Sequence, residues 1–80
     1  MDRDQFARIT SAIEYTLDQL RRGPKSRQDD ERPSAYEDRC HSFYDAKYRF
    51  CLFAIRCLKQ VDKMKAELYL DDLRQLRELI

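Results

Sequence analysis

From Ser34 to Ile80 the chain contains neither glycine nor proline. Its strong backbone breakers, Gly23, Pro24 and Pro33, all lie in one short central segment. Such a distribution leaves no material for the tight turns of a strand-rich fold and points to an all-α chain of long helices.

Ahead of the breakers, Phe6, Ile9, Ile13, Leu17 and Leu20 recur at steps of three and four, which places them on one stripe of a helix over 3–22. Asp2 and Asp4 suit the positive end of its dipole, and Arg21 and Arg22 the negative end. Gly23 is expected to cap it in the left-handed conformation, with Pro24 blocking continuation. The segment 23–33 carries charges of both signs and nothing apolar to bury, so a mobile loop is expected. Its one hydroxyl, Ser26, could accept a phosphate, but a solvated linker explains the composition without it.

A second helix is expected from Ser34, which can act as N-cap while Glu37 completes a capping box. Unbroken to Ile80, it would be about 70 Å long at ~1.5 Å per residue, far more than the first helix can cover. Either it breaks around 65–72 to give three helices, or it stays long and pairs with another chain as a helical hairpin extended into a coiled coil. Cys51, Ile55, Leu58, Asp62, Ala66, Tyr69, Leu73, Leu76 and Ile80 keep the spacing of a seam, but Asp62 interrupts it with a stutter. The expectation is a single helical domain over 1–80, a hairpin with a long second helix bent or broken near residue 65, and a tendency to oligomerise.

The run Phe50 to Leu58 is apolar at every position but Arg56, so it wraps nearly the whole helix. With Phe43 as the zero of a helical wheel, Phe43, Phe50, Ala54, Cys57 and Val61 form one face, suited to the first helix. Tyr48, Leu52, Ile55 and Leu73 form another, which requires a third helix or a partner chain. Tyr36, Phe43, Tyr44, Tyr48, Leu52, Phe53, Ile55 and Leu73 are therefore the candidate partner-binding residues, with core packing the simpler role for Phe43 and Tyr44. Tyr15, opposite the stripe of the first helix, should be exposed. A second candidate is electrostatic: Arg49, Arg56, Lys59 and Lys63 gather on one side of the helix and could track phosphates or an acidic protein groove.

Sixteen basic and fifteen acidic residues give a net charge of +1, which excludes a surface built throughout for a polyanion. The longest central uncharged run, Phe50 to Ile55, is too short for a signal sequence or a membrane span. Cys40, Cys51 and Cys57 match neither a disulfide framework nor a metal knuckle, and reduced thiols in the cytoplasm or nucleus are expected. Cys40 and the single histidine, His41, diverge by 100° on a helix and form no catalytic dyad. No enzymatic activity, cofactor, metal site or small-molecule substrate is expected. The sequence fits an adaptor, assembly or regulatory module that docks a larger protein or a second copy of itself as a homodimer. A nucleic-acid or acidic-surface binder is the alternative, and a small inhibitor that occludes a site on a larger target is a third possibility.

Overall fold

The computed structural model describes residues 1–79, with side chains as far as Arg77. The chain is all-α and comprises α1 (Arg3–Arg22), α2 (Pro33–Lys59) and α3 (Lys63–Leu79). The first helix follows its expected bounds. Asp2 caps it by accepting the Gln5 amide at 2.8 Å, and the Gln5 side chain accepts the Asp2 amide in return, a reciprocal pair that satisfies two otherwise orphaned donors. At the other end Gly23 donates to the Gln19 carbonyl, with φ 76° and ψ 178°. The positive φ is as expected, but the conformation is not the left-handed helical one, because a following proline drives its predecessor to extended ψ.

The expected long second helix is corrected by the structure. It ends at Lys59, and α3 begins at Lys63 after three intervening residues, ahead of the break anticipated at 65–72. No glycine or proline makes this turn. The amides of Val61 and Asp62 both reach the Leu58 carbonyl, closing α2, and the Asp62 side chain then accepts the Lys65 amide at 3.0 Å while its carbonyl accepts the Ala66 amide at 3.0 Å. Asp62 is thus the N-cap of a new helix. The residue that interrupts the apolar seam does so because the chain reverses there. The start of α2 is corrected as well: Arg32 is the N-cap, without a side-chain hydrogen bond, and Pro33 occupies the first turn, where its missing amide removes an orphaned donor. Ser34 and Glu37 form no capping box.

The reversal folds α3 antiparallel onto α2. Ile13, Leu17 and Leu20 from α1, Cys51, Ala54, Ile55 and Leu58 from α2, and Ala66, Tyr69, Leu73 and Leu76 from α3 make one core. Every described apolar member of the predicted seam is buried there; Ile80 lies outside the described residues. Two threonines, Thr10 and Thr16, join the core without stranding a hydroxyl, since each donates to a carbonyl one turn back. Between α1 and α3 the Tyr69 hydroxyl donates to Glu14 at 2.5 Å, and burial followed by this bond holds the phenol well above its ordinary range.

At 27 residues α2 is the longest element, about 40 Å at ~1.5 Å per residue, and it accounts for most of the 47 Å long axis. All of its buried residues lie from Cys51 onward and Phe43, Tyr44 and Tyr48 lean on the core, so only its first turns project past it. The charged loop is exposed over 25–30, and Arg39 ties it to this projection at two points. Arg39 donates to both carboxylate oxygens of Glu31 at 3.0 Å and to the Ser26 carbonyl at 3.2 Å, and this pairing holds the Glu31 carboxyl below its ordinary value.

Replacing Asp62 with alanine should cost about 1 kcal/mol, lowering the melting temperature by about 4–8 °C for a domain of this size, whereas Gln60→Ala should leave it unchanged. Burial also pushes the Cys51 thiol up from 9.0 to about 11. A group that holds its proton more tightly when folded stabilises fully below its unfolded pKa and loses that contribution as the pH climbs to the folded one. Denaturant titrations should therefore show stability falling between pH 9 and about 11, with a shallower fall in Cys51→Ala.

Candidate functional site

Where α3 returns along α2, the two helices leave a groove of about 710 Å³. Its floor is apolar: Leu52 and Tyr48 from α2 and Leu70 from α3, half-buried, lie over the buried Ile55. Its walls are cationic, with Arg56 and Lys59 on one side and Arg74 and Arg77 on the other, and no acidic residue lines it. The periodicity of each helix explains this. Leu70, Arg74 and Arg77 follow steps of four and three along one edge of α3, as Leu52, Arg56 and Lys59 do along the facing edge of α2.

The cations are staggered along the groove. Arg77 donates to the Tyr48 hydroxyl at 3.3 Å, and its guanidinium lies 5.3 Å from the centre of that ring. Because the helices are antiparallel, Arg74 stands about one turn further on, near the level of Leu52, and Arg56 and Lys59 lie beyond it toward the reversal. Arg74 has a carboxylate nearby, Asp71 at 4.0 Å, but both side chains are two-thirds exposed and such a contact neutralises little. Beyond Tyr48 the groove continues past Tyr44, His41 and Arg49, where Asp45, 3.2 Å from Arg49, adds the one carboxylate.

Part of each of the two sets of residues singled out in the sequence lies here. Tyr48 and Leu52 line the floor, and Arg56 and Lys59 the wall, with Arg49 at the upper end. Lys63, at the start of α3, does not line the groove. Ile55 and Leu73 are corrected from partner-binding residues to core: they are 3% and 0% exposed, because α3 occupies the face they were expected to offer. Phe43 and Tyr44 pack edge to face at 5.3 Å and lean on the core, and the Tyr44 hydroxyl sits where a side chain at Gly23 would approach to 3.1 Å. Tyr36 lies on the projecting part of α2, with Arg39 5.3 Å above its ring. Phe53 is 67% exposed on a different face from the groove. Sequence reasoning missed Leu70, Arg74 and Arg77; their spacing becomes meaningful only once 63–79 is a separate helix facing α2.

Cys40, Cys51 and Cys57 are free thiols. Among the described residues no helix is long and apolar enough to cross a membrane. No protein-family model matches the chain, nor does any curated protein or solved structure.

Four cations held together with only one exposed carboxylate, Asp71, beside them repel one another at the expense of folding. Neutralising two of them in Lys59→Gln/Arg74→Gln should raise stability by a few tenths of a kcal/mol at low salt. That gain should disappear at about 1 M salt, where screening acts within ~3 Å. Urea unfolding at the two ionic strengths measures both effects.

Proposed function

We propose that the protein is a non-enzymatic interaction module whose α2–α3 groove seats an acidic, amphipathic helix of a partner protein. The observation that carries this reading is the pairing of an aliphatic floor with cations on both walls. An amphipathic helix laid between α2 and α3 would add its apolar face to Leu52, Leu70 and Tyr48. Acidic residues on its two flanks would reach Arg74 and Arg77 on one side and Arg56 and Lys59 on the other. From Tyr48 to Lys59 the groove runs about 17 Å, or three helical turns at ~1.5 Å per residue, which suits a docking segment of that length.

The same features argue against a nucleic-acid strand. Single strands are held by bases stacked on open aromatic faces, and the one aromatic ring of the floor, Tyr48, is already occupied by Arg77. Leucines offer no such platform. The staggered cations further favour a partner whose carboxylates lie on opposite flanks over one with a single row of phosphates.

Fluorescence anisotropy with designed peptides of about 20 residues, long enough to be helical in isolation, tests this. A peptide with a leucine stripe and glutamates on both flanks should bind, and its lysine counterpart should not. Lys59→Glu/Arg74→Glu should weaken binding at least about tenfold and flatten its salt dependence. Leu52→Asn should weaken it about tenfold through lost apolar contact, and Phe53→Ser should leave it unchanged. Tighter binding of an RNA oligonucleotide of equal charge, or equal binding of the two peptides, would overturn the proposal.

A further inference from the structure

Among the serines and threonines of the chain, only Ser26 lies outside a helix: Thr10, Ser11 and Thr16 are within α1, and Ser34 and Ser42 within α2. An enzyme that modifies a side chain needs the surrounding backbone exposed and pliable, which a hydrogen-bonded helix is not. Ser26 meets that need, since 25–30 is exposed throughout and 25–28 has no regular structure. Its charged surroundings are ordered along the chain. Upstream, Arg21 and Arg22 are fixed in the last turn of α1. Downstream, Asp29 and Asp30 stand three and four positions on, both exposed, in a turn closed by the Glu31 amide on the Gln28 carbonyl at 3.0 Å. Past Arg27, the loop therefore presents carboxylates on the C-terminal side of the hydroxyl, a pattern that a basic substrate groove selects.

A receptor for an anion at this position is already built. Arg39 reaches across from α2 and donates to the Ser26 carbonyl at 3.2 Å. Its guanidinium is held in place by the two bonds to Glu31 and by the Tyr36 ring, 5.3 Å away, so little freedom is lost when a further anion arrives. Arg39 also lines a cleft of about 480 Å³ between the end of α1 and α2, together with Arg22 and Lys25. The one carboxylate lining that cleft, Asp18, is 3.1 Å from Arg22.

We propose that Ser26 is a phosphorylation site and that its phosphate docks on Arg39, fastening the loop to the first turns of α2. A protein kinase of acidic specificity and a nucleoside triphosphate supply the reaction. The Ser26 oxygen forms a bond to the γ-phosphorus, the bond to the bridging oxygen breaks, the nucleoside diphosphate leaves, and the hydroxyl proton passes to the kinase's base. The product carries nearly two negative charges and three strong acceptor oxygens on the residue whose carbonyl Arg39 already holds. A guanidinium has five N–H donors, enough to serve the phosphate and Glu31 together. This inference does not depend on the occupant of the α2–α3 groove.

The full chain incubated with ATP and a serine kinase that selects acidic residues downstream of its acceptor should take up one phosphoryl group, located at Ser26 by fragment mass spectrometry, and Ser26→Ala should take up none. Asp29→Asn/Asp30→Asn should slow uptake about tenfold, the effect of two lost charge contacts. Phosphorus NMR of the modified chain should show the phosphate losing its second proton at least about half a unit below its ordinary value near 6, and Arg39→Gln should return most of that shift. The amides of 26–31 should exchange several-fold more slowly than in the unmodified chain. No uptake, or uptake at another residue, would overturn the proposal. So would a phosphate titration indifferent to Arg39→Gln, or faster exchange across the loop, which would mean that Glu31 repels the phosphate and the segment is loosened.

Discussion

The acceptance of the Lys65 amide by the Asp62 carboxylate is a small interaction on which the rest of the molecule depends. Each helix end leaves backbone donors or acceptors unpaired, and a reversal in three residues without glycine or proline has few ways to satisfy them. Here the Leu58 carbonyl takes two amides on one side and Asp62 takes two on the other. With those groups paired, Tyr69, Leu73 and Leu76 can turn back onto Cys51, Ile55 and Leu58, and burial of each large apolar side chain contributes roughly 1.5–3 kcal/mol. Carried straight on, the same residues would face water along a rod that α1 could not shield.

Much of this was legible in the sequence, where three helices broken near residue 65 stood as the alternative to one long second helix. The seam from Cys51 to Leu76 names the buried residues of α2 and α3 correctly, because three-and-four spacing records which side of a helix is covered and is indifferent to whether the cover is another chain or a later part of the same one. The exact place of the turn and its cap were hidden. An aspartate in an apolar register reads equally as a polar blemish in a coiled coil or as a cap, and nearby glycine or proline, the usual arbiter, is lacking. Ser34 and Glu37 misled in the opposite sense: they have the letters of a capping box, but Pro33 takes the first helical position and the chain enters at Arg32. The loop's charges over 25–30 are exposed, as a solvated linker requires, but the contact of its end with α2 could not be read, because the Arg39 fork that fits Glu31 lies on a separate element.

The groove was half legible for the same reason. Arg49, Arg56 and Lys59 lie on one helix, and their clustering is a matter of wheel arithmetic. Their convergence with Arg74 and Arg77 is tertiary, and no local pattern reports it. Overall near-neutrality conceals the effect. The charges nearly cancel over the whole chain, yet the reversal places cations on the inner edges of α2 and α3 and leaves Glu67 and Asp71 outside. The molecule is electrically balanced in composition and polarised in space, and association is sensitive to the second property.

The projection of α2 beyond the core gives the molecule two regions of unequal cohesion. The last third, from Cys51 onward, shares a tightly packed interior with both neighbours, while the first turns are fastened by the Arg39 fork to a polar strap. Backbone amides in the two regions should accordingly exchange with solvent by different routes, one through cooperative opening of the whole and the other through local fraying. Acid distinguishes them too. A carboxylate whose proton affinity is depressed by its partner holds its structure at neutrality and releases it as the medium turns acidic, so protonation of Glu31 would unbuckle the strap and loosen the overhanging turns while the interior stayed closed.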